Sequence, residues 1–134
     1  MQIIVLYLTT AGFFLLVDAV MLKNFMQPHF QKYLGDWLRQ PIDLAAAGGF
    51  YLLYVAGVLY LVSLPALREG SVGQAALGGA ILGGLAYGTY EFTNKATLTR
   101  WDWSMVAADW TWGIVLTGAS AAFGVWATRA LTGN

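Results

Sequence analysis

The sequence predicts an all-α integral membrane protein: a four-transmembrane-helix bundle with an amphipathic interfacial helix between the first two spans. Three observations carry this. The 134 residues are 58% hydrophobic and only 10% charged, where soluble domains carry roughly 25% charged residues. Mean hydropathy is +0.60, more apolar surface than a soluble core of this length can absorb, so lipid is the natural solvent. Four stretches, about 3–22, 44–67, 72–92 and 105–131, each supply the roughly 20 mostly apolar residues that a helix needs to cross the hydrocarbon. Residues 1–134 therefore read as a single transmembrane domain.

The first span opens "MQIIVLYLTTAGFFLLVDAVMLKN". It lacks a positive leading region and a small-x-small cleavage site, so it reads as an uncleaved span. Like the others it must be helical, because lipid offers backbone amides no partner. After it, Met26, Phe30, Tyr33, Leu34, Trp37 and Leu38 recur at three- and four-residue spacing, with Lys32, Asp36, Arg39 and Gln40 on the other side. Pro28 suits a first helical turn, and Gly35 weakens the element locally. The spacing predicts an amphipathic helix over about 28–39, lying in the interface; the alternative is an irregular loop anchored by Trp37. Span two ends at "SLPALREG", where Pro65, Arg68, Glu69 and Gly70 mark a short turn. Spans one and three do not align, which argues against an inverted-repeat transporter.

An even number of spans puts both termini on one side. Lys23, Lys32, Arg39, Lys95 and Arg100 fall in the connections after spans one and three, against Arg68 and Arg129 opposite. The positive-inside rule then places those two connections in the cytoplasm and both termini outside. There is no cysteine, which excludes disulfides and thiolate metal sites. With zero net charge and no basic tract, the chain is not expected to bind nucleic acid.

Four carboxylates gather at one membrane depth, one from each span: Asp18, Asp43, Glu91 and Asp109. A charged aspartate at mid-helix costs about 2.5–3.5 kcal/mol on insertion scales, so such groups face the bundle interior, find a partner or take up a proton. Helical spacing supports the inward choice. Span three aligns Ala80, Gly84, Tyr87, Gly88 and Glu91. Span four aligns Asp109, Gly113, Thr117, Ser120 and Gly124. Span one offers Tyr7, Ala11, Phe14 and Asp18, and span two Asp43, Ala47, Phe50, Tyr54 and Gly57.

The bland readings are packing for the glycine faces and capping for Asp43 and Glu91. Tyr51, Tyr60 and Tyr90 suit an aromatic belt, with Tyr54 and Tyr87 better placed as inward hydroxyls. Anchoring accounts for most of Trp101, Trp103, Trp110 and Trp112. Trp112 nevertheless joins the candidate cluster: Asp18, Tyr54, Tyr87, Glu91, Thr93, Asn94, Asp109 and Trp112. Lys95 or Arg100 would serve as its counter-ions. His29, the one histidine, reads as a surface residue, and no Glu-x-x-His spacing indicates a metal. No nucleophile motif or phosphate loop is present; "LGGAILGG" is a packing run. No cofactor is identified.

"FYLLYVAGVL" (50–59), "YGTYEFTNKATL" (87–98) and "DWTWG" (109–113), with Asp18 upstream, resemble the bacterial membrane-protein family known as domain-of-unknown-function family 2177. The resemblance covers nearly the whole chain. It implies a four-helix protein of the bacterial inner membrane and carries no activity with it. One departure is Met21, where members often place a tryptophan.

Three functions compete. The first is a binding or accessory subunit that holds an amphipathic, lipid-like ligand or docks to a larger membrane complex, with membrane lipids and a possible second copy as partners. The second is a proton- or ion-coupled small transporter. The third is a membrane enzyme acting on a lipid or isoprenoid, with Asp109 or Glu91 as acid/base. The absence of any catalytic motif favours the first.

Overall fold

The computed structural model describes residues 2–37, 43–69 and 71–133, and all regular structure among them is helical. Leu38, Arg39 and Gln40 from the expected interfacial helix, and Gly70 from the expected turn, lie outside the described residues. The chain runs α1 (Gln2–Met21), a π-helical turn (Leu22–Met26), α2 (Gln27–Leu34) and a 3-10 turn (Gly35–Trp37). It continues as α3 (Leu44–Val58), a second π-helical turn (Leu59–Ser63), α4 (Leu64–Glu69), α5 (Val72–Thr97) and α6 (Trp103–Thr132).

Three of these stretches are long and apolar enough to cross a membrane: Gln2–Trp37, Ala45–Glu69 and Trp103–Thr132. At 26 residues α5 matches them in length, but its glycines and polar end dilute its hydropathy. Leu8, Leu16, Leu53, Leu61, Leu77, Leu85 and Leu131 all stand exposed, as they do where the surrounding medium is lipid.

Two expectations about chain breaks are corrected. The segment after the first span is not separated from it by a loop, and Pro65 does not end the second rod. Pro28 and Pro65 both sit inside continuous helix, each two residues past a π-helical turn. A helical proline lacks an amide donor and its ring crowds the carbonyl four residues back. A wider turn just upstream relieves that crowding. There the Gln27 and Leu64 amides reach back five residues, to the Leu22 and Leu59 carbonyls. The apolar side of α2 packs on protein: Leu34 joins Trp101, Met105 and Val106, with Phe30 and Tyr33 alongside.

The tightest seam joins α5 to α6. A Cβ on Gly79 would lie 2.8 Å from the Gly118 Cα, and one on Gly83 would overlap the Gly113 carbonyl. The helix backbones can therefore meet only because those positions are glycine. Across from this pair, α1 lays Thr10 against Gly124. The second rod contributes Val55, Val58, Leu59 and Val62 to the core, while Phe50 and Leu53 are exposed. This corrects the stripe expected for span two at Asp43 and Phe50, which are exposed, while Tyr54 is half-buried against the core. The first half of α3 consequently stands off from α5.

The start of α6 is capped by Asp102, whose Oδ2 accepts from the Ser104 amide at 2.9 Å. That amide, the Ser104 side chain and the Lys95 charge hold the Asp102 carboxyl below its ordinary 3.8. A depressed native value stabilises fully above the unfolded value and is lost as pH falls through the native one. Amide exchange at Ser104 and Met105 is thus expected to stay slow from pH 7 to 5 and to rise below the ordinary 3.8. Asp102→Asn, which keeps a capping oxygen, should flatten that dependence.

Candidate functional site: an aromatic cavity with an acidic floor

Where α3 leaves α5, a cavity of about 450 Å³ opens. The first rod supplies Leu22 and Phe30, and α3 supplies Phe50, Tyr51 and Tyr54. The opposite wall is Ala86, Tyr87 and Tyr90 of α5, and Asp109 of α6 is its acidic group. The π-helical turn contributes directly, since Leu22 begins it and Phe30 follows it by one helical turn.

The walls are rings set at steep angles. Tyr54 meets Tyr87 edge-on, centroids 6.3 Å apart, and stacks with Phe50 at 6.2 Å. The Tyr54 hydroxyl is 3.0 Å from Thr117 Oγ1 on α6. Tyr87 lies flat over Gly113, where any Cβ would enter its ring.

Three acids meet near this cavity. Asp18 is buried and accepts from the Trp112 indole at 3.0 Å, with Tyr51 beside it. Glu91 is 0% exposed; its Oε1 accepts from the Trp101 indole at 2.8 Å. Its Oε2 finds no hydrogen-bond partner among the described residues. The Glu91 carboxyl adjoins that of Asp109. Two carboxyls this close cannot both be ionised without repelling one another.

The structure thus brings Asp18, Tyr54, Tyr87, Glu91, Asp109 and Trp112 to one end of the bundle. Asn94 is half-buried one turn past Tyr90, whose hydroxyl it neighbours. Thr93 is exposed and offers only its backbone carbonyl, to Thr97 at 2.8 Å. Asp43 is an exposed cap of α3, accepting from Ala46 at 3.1 Å, and stands outside the group.

The expected counter-ions are corrected. Arg100 donates to Asp36 at 3.0 Å and to the Leu34 carbonyl at 2.8 Å, and Lys95 lies over the Trp103 ring at 5.1 Å. Neutral indoles fill the role instead, because in a site closed to water an N–H satisfies a carboxylate without a second charge to desolvate.

Sequence reasoning missed Trp101, Tyr51, Tyr90 and Phe30. Of these Tyr51 and Tyr90 left a signal, sitting one turn before Tyr54 on α3 and one turn after Tyr87 on α5. His29 is half-buried, 3.2 Å from Ser104 Oγ and stacked on Phe25. Among the described residues no three His, Cys, Asp or Glu side chains are arranged to hold a metal.

A family model described as "Predicted membrane protein (DUF2177)" matches residues 3–126. No curated protein and no solved structure matches the chain.

Proposed function

The chain belongs to the DUF2177 family of predicted membrane proteins, and from that premise we propose that it is a binding protein whose aromatic cavity holds an amphipathic, lipid-like ligand. In this reading α5 is a fourth span and α2 lies at the cytoplasmic interface of a bacterial inner membrane, with both termini outside. The observation that carries it is the cavity between α3 and α5. Its volume falls within the range of about 300–1,000 Å³ usual for small-molecule sites, and its mostly apolar lining with a single acid matches their make-up. Its rim residues Phe50 and Tyr90 are 60% and 54% exposed. The mouth therefore opens sideways, toward lipid, and an acyl chain enters without crossing water.

The alternatives fit less well. Substrate sites of transporters lie near the membrane midplane, while Asp18, Glu91 and Asp109 crowd one end of the bundle. An enzyme acting on lipid needs a nucleophile or cofactor beside its acid/base, and the groups around Asp109 are rings and carboxyls.

Ala86 tests the proposal, because it lines the cavity and a phenylalanine there takes up its space while leaving the acids in the chain. Native mass spectrometry from lipid nanodiscs is expected to show the wild type retaining one lipid-sized adduct and Ala86→Phe releasing as the bare chain. A wild type that itself leaves bare would overturn the reading.

A further inference from the structure

We infer that the ligand's head group is an organic cation, a protonated or quaternary ammonium, seated on Asp109 and boxed by tyrosine rings. This rests on the ligand-binding reading above and goes beyond it in naming the charge.

The first argument is an acid that meets no cation among the described residues. Asp109 faces the cavity, with Glu91 beside it. The Trp101 indole satisfies one Glu91 oxygen; the other, fully buried, has no partner among the described residues. Among the described residues, no Lys or Arg is among the groups acting on either acid. Arg100 is engaged by Asp36, Lys95 by Trp103 and Lys32 by Tyr33. When Asp109 is ionised, no opposite charge among the described residues stands beside it. A buried charge without a partner is costly, so the occupant that lowers the free energy most is one that brings the opposite sign.

The second argument is independent of the acids. Tyr51, Tyr54, Tyr87 and Tyr90 surround the same space, and a ring face carries negative electrostatic potential. Stacked and edge-on rings meeting at 21° and 71° present faces in several directions. Such a box attracts a soft cation from more than one side, the arrangement used to recognise quaternary ammonium groups. It disfavours a phosphate or sulfate, which both the faces and Asp109 repel.

The third argument is size. About 450 Å³ is far larger than an inorganic ion, and a bare ion would leave the ring walls to water. An alkylammonium head with the first part of a chain fills the space, with the remainder leaving past Phe50 into lipid.

The test uses the full chain in neutral maltoside micelles, titrated with decyltrimethylammonium, decyl sulfate and tetramethylammonium while indole fluorescence is followed. Decyltrimethylammonium is expected to bind at least about tenfold more tightly than decyl sulfate, a difference within reach of one desolvated cation–π box. Asp109→Asn should erase most of that preference and keep the tail-dependent part. Tight binding of tetramethylammonium alone would support a free amine as the source; binding only with the chain attached would support a lipid.

If decyl sulfate binds as well as the ammonium probe, the cationic head is overturned and the cavity's ligand-binding role stands. If neither amphiphile binds, both fall. The wild-type comparison decides between these outcomes even if Asp109→Asn fails to fold.

Discussion

Gly113→Val is expected to produce the largest loss of stability of any single substitution at the site, about 3 kcal/mol or more, at and beyond the upper end of ordinary overpacking. Any Cβ at Gly113 enters the Tyr87 ring, and the Gly113 carbonyl already occupies the space that a Cβ on Gly83 would need. The strain therefore cannot be relieved by sliding α6 along α5, because the Gly79–Gly118 approach one turn further on is equally close. The only soft element is Tyr87, which would have to swing into the cavity. Unfolding by denaturant in mild detergent measures the cost. Gly57→Ala is the control, since a Cβ there meets nothing within 4 Å and the change should stay within about 0.5 kcal/mol. Combining Gly113→Val with Tyr87→Ala should recover a good part of the loss, as expected for two residues in contact. A double variant no better than the single one would mean that the ring contact is not the cause.

Glu91→Leu is the second. Leucine fits the volume and suits the medium, so hydrophobicity alone would make the exchange harmless. The hydrogen bonds say otherwise. The Trp101 indole loses its acceptor at 2.8 Å, and Asp109 loses the carboxyl that adjoins it. Each buried group left unsatisfied costs about 1–3 kcal/mol, which puts the sum near 3 kcal/mol for a site with two. Glu91→Gln separates this from any need for the acid itself. Its amide keeps an oxygen for Trp101 and offers a donor to Asp109, so it should retain stability to within about 1 kcal/mol. Denaturation midpoints together with Trp101 fluorescence read the outcome. Equal damage from leucine and glutamine would show that the hydrogen bonds, as drawn, do not hold the helix end.

How much of the site could be read in advance depends on the helix. On α6 the small and polar stripe was legible: Gly113, Thr117, Ser120 and Gly124 are all buried, because small and polar residues recur there at three- and four-residue spacing. On α1 the same holds for Ala11, Phe14 and Asp18. On α3 the reading held for Tyr54, which reaches Thr117, and failed for Asp43 and Phe50, which are exposed. Every side of that helix is apolar, so periodicity has no direction to point in, and packing turned Val55 and Val58 inward and Phe50 outward. Pro65 misled for a related reason: it favours a turn in water, but in a rod closed off from solvent a widened turn costs less than exposing the backbone, while Pro28 stands in the first turn of α2 as its sequence context indicated.

From composition and spacing alone came the medium and the helical class, since each follows from a transfer free energy that any helix in lipid must meet. The partners of the acids were another matter. Trp101 stands 10 residues from Glu91 along the chain and Trp112 stands 94 from Asp18, and nothing in either stretch marks an indole as a donor to a carboxylate. Arg100 looked the better match by charge and went to Asp36. Which groups meet is set by how closely glycine lets α5 approach α6 and by where α3 parts from them, and those distances exist only once the helices have packed.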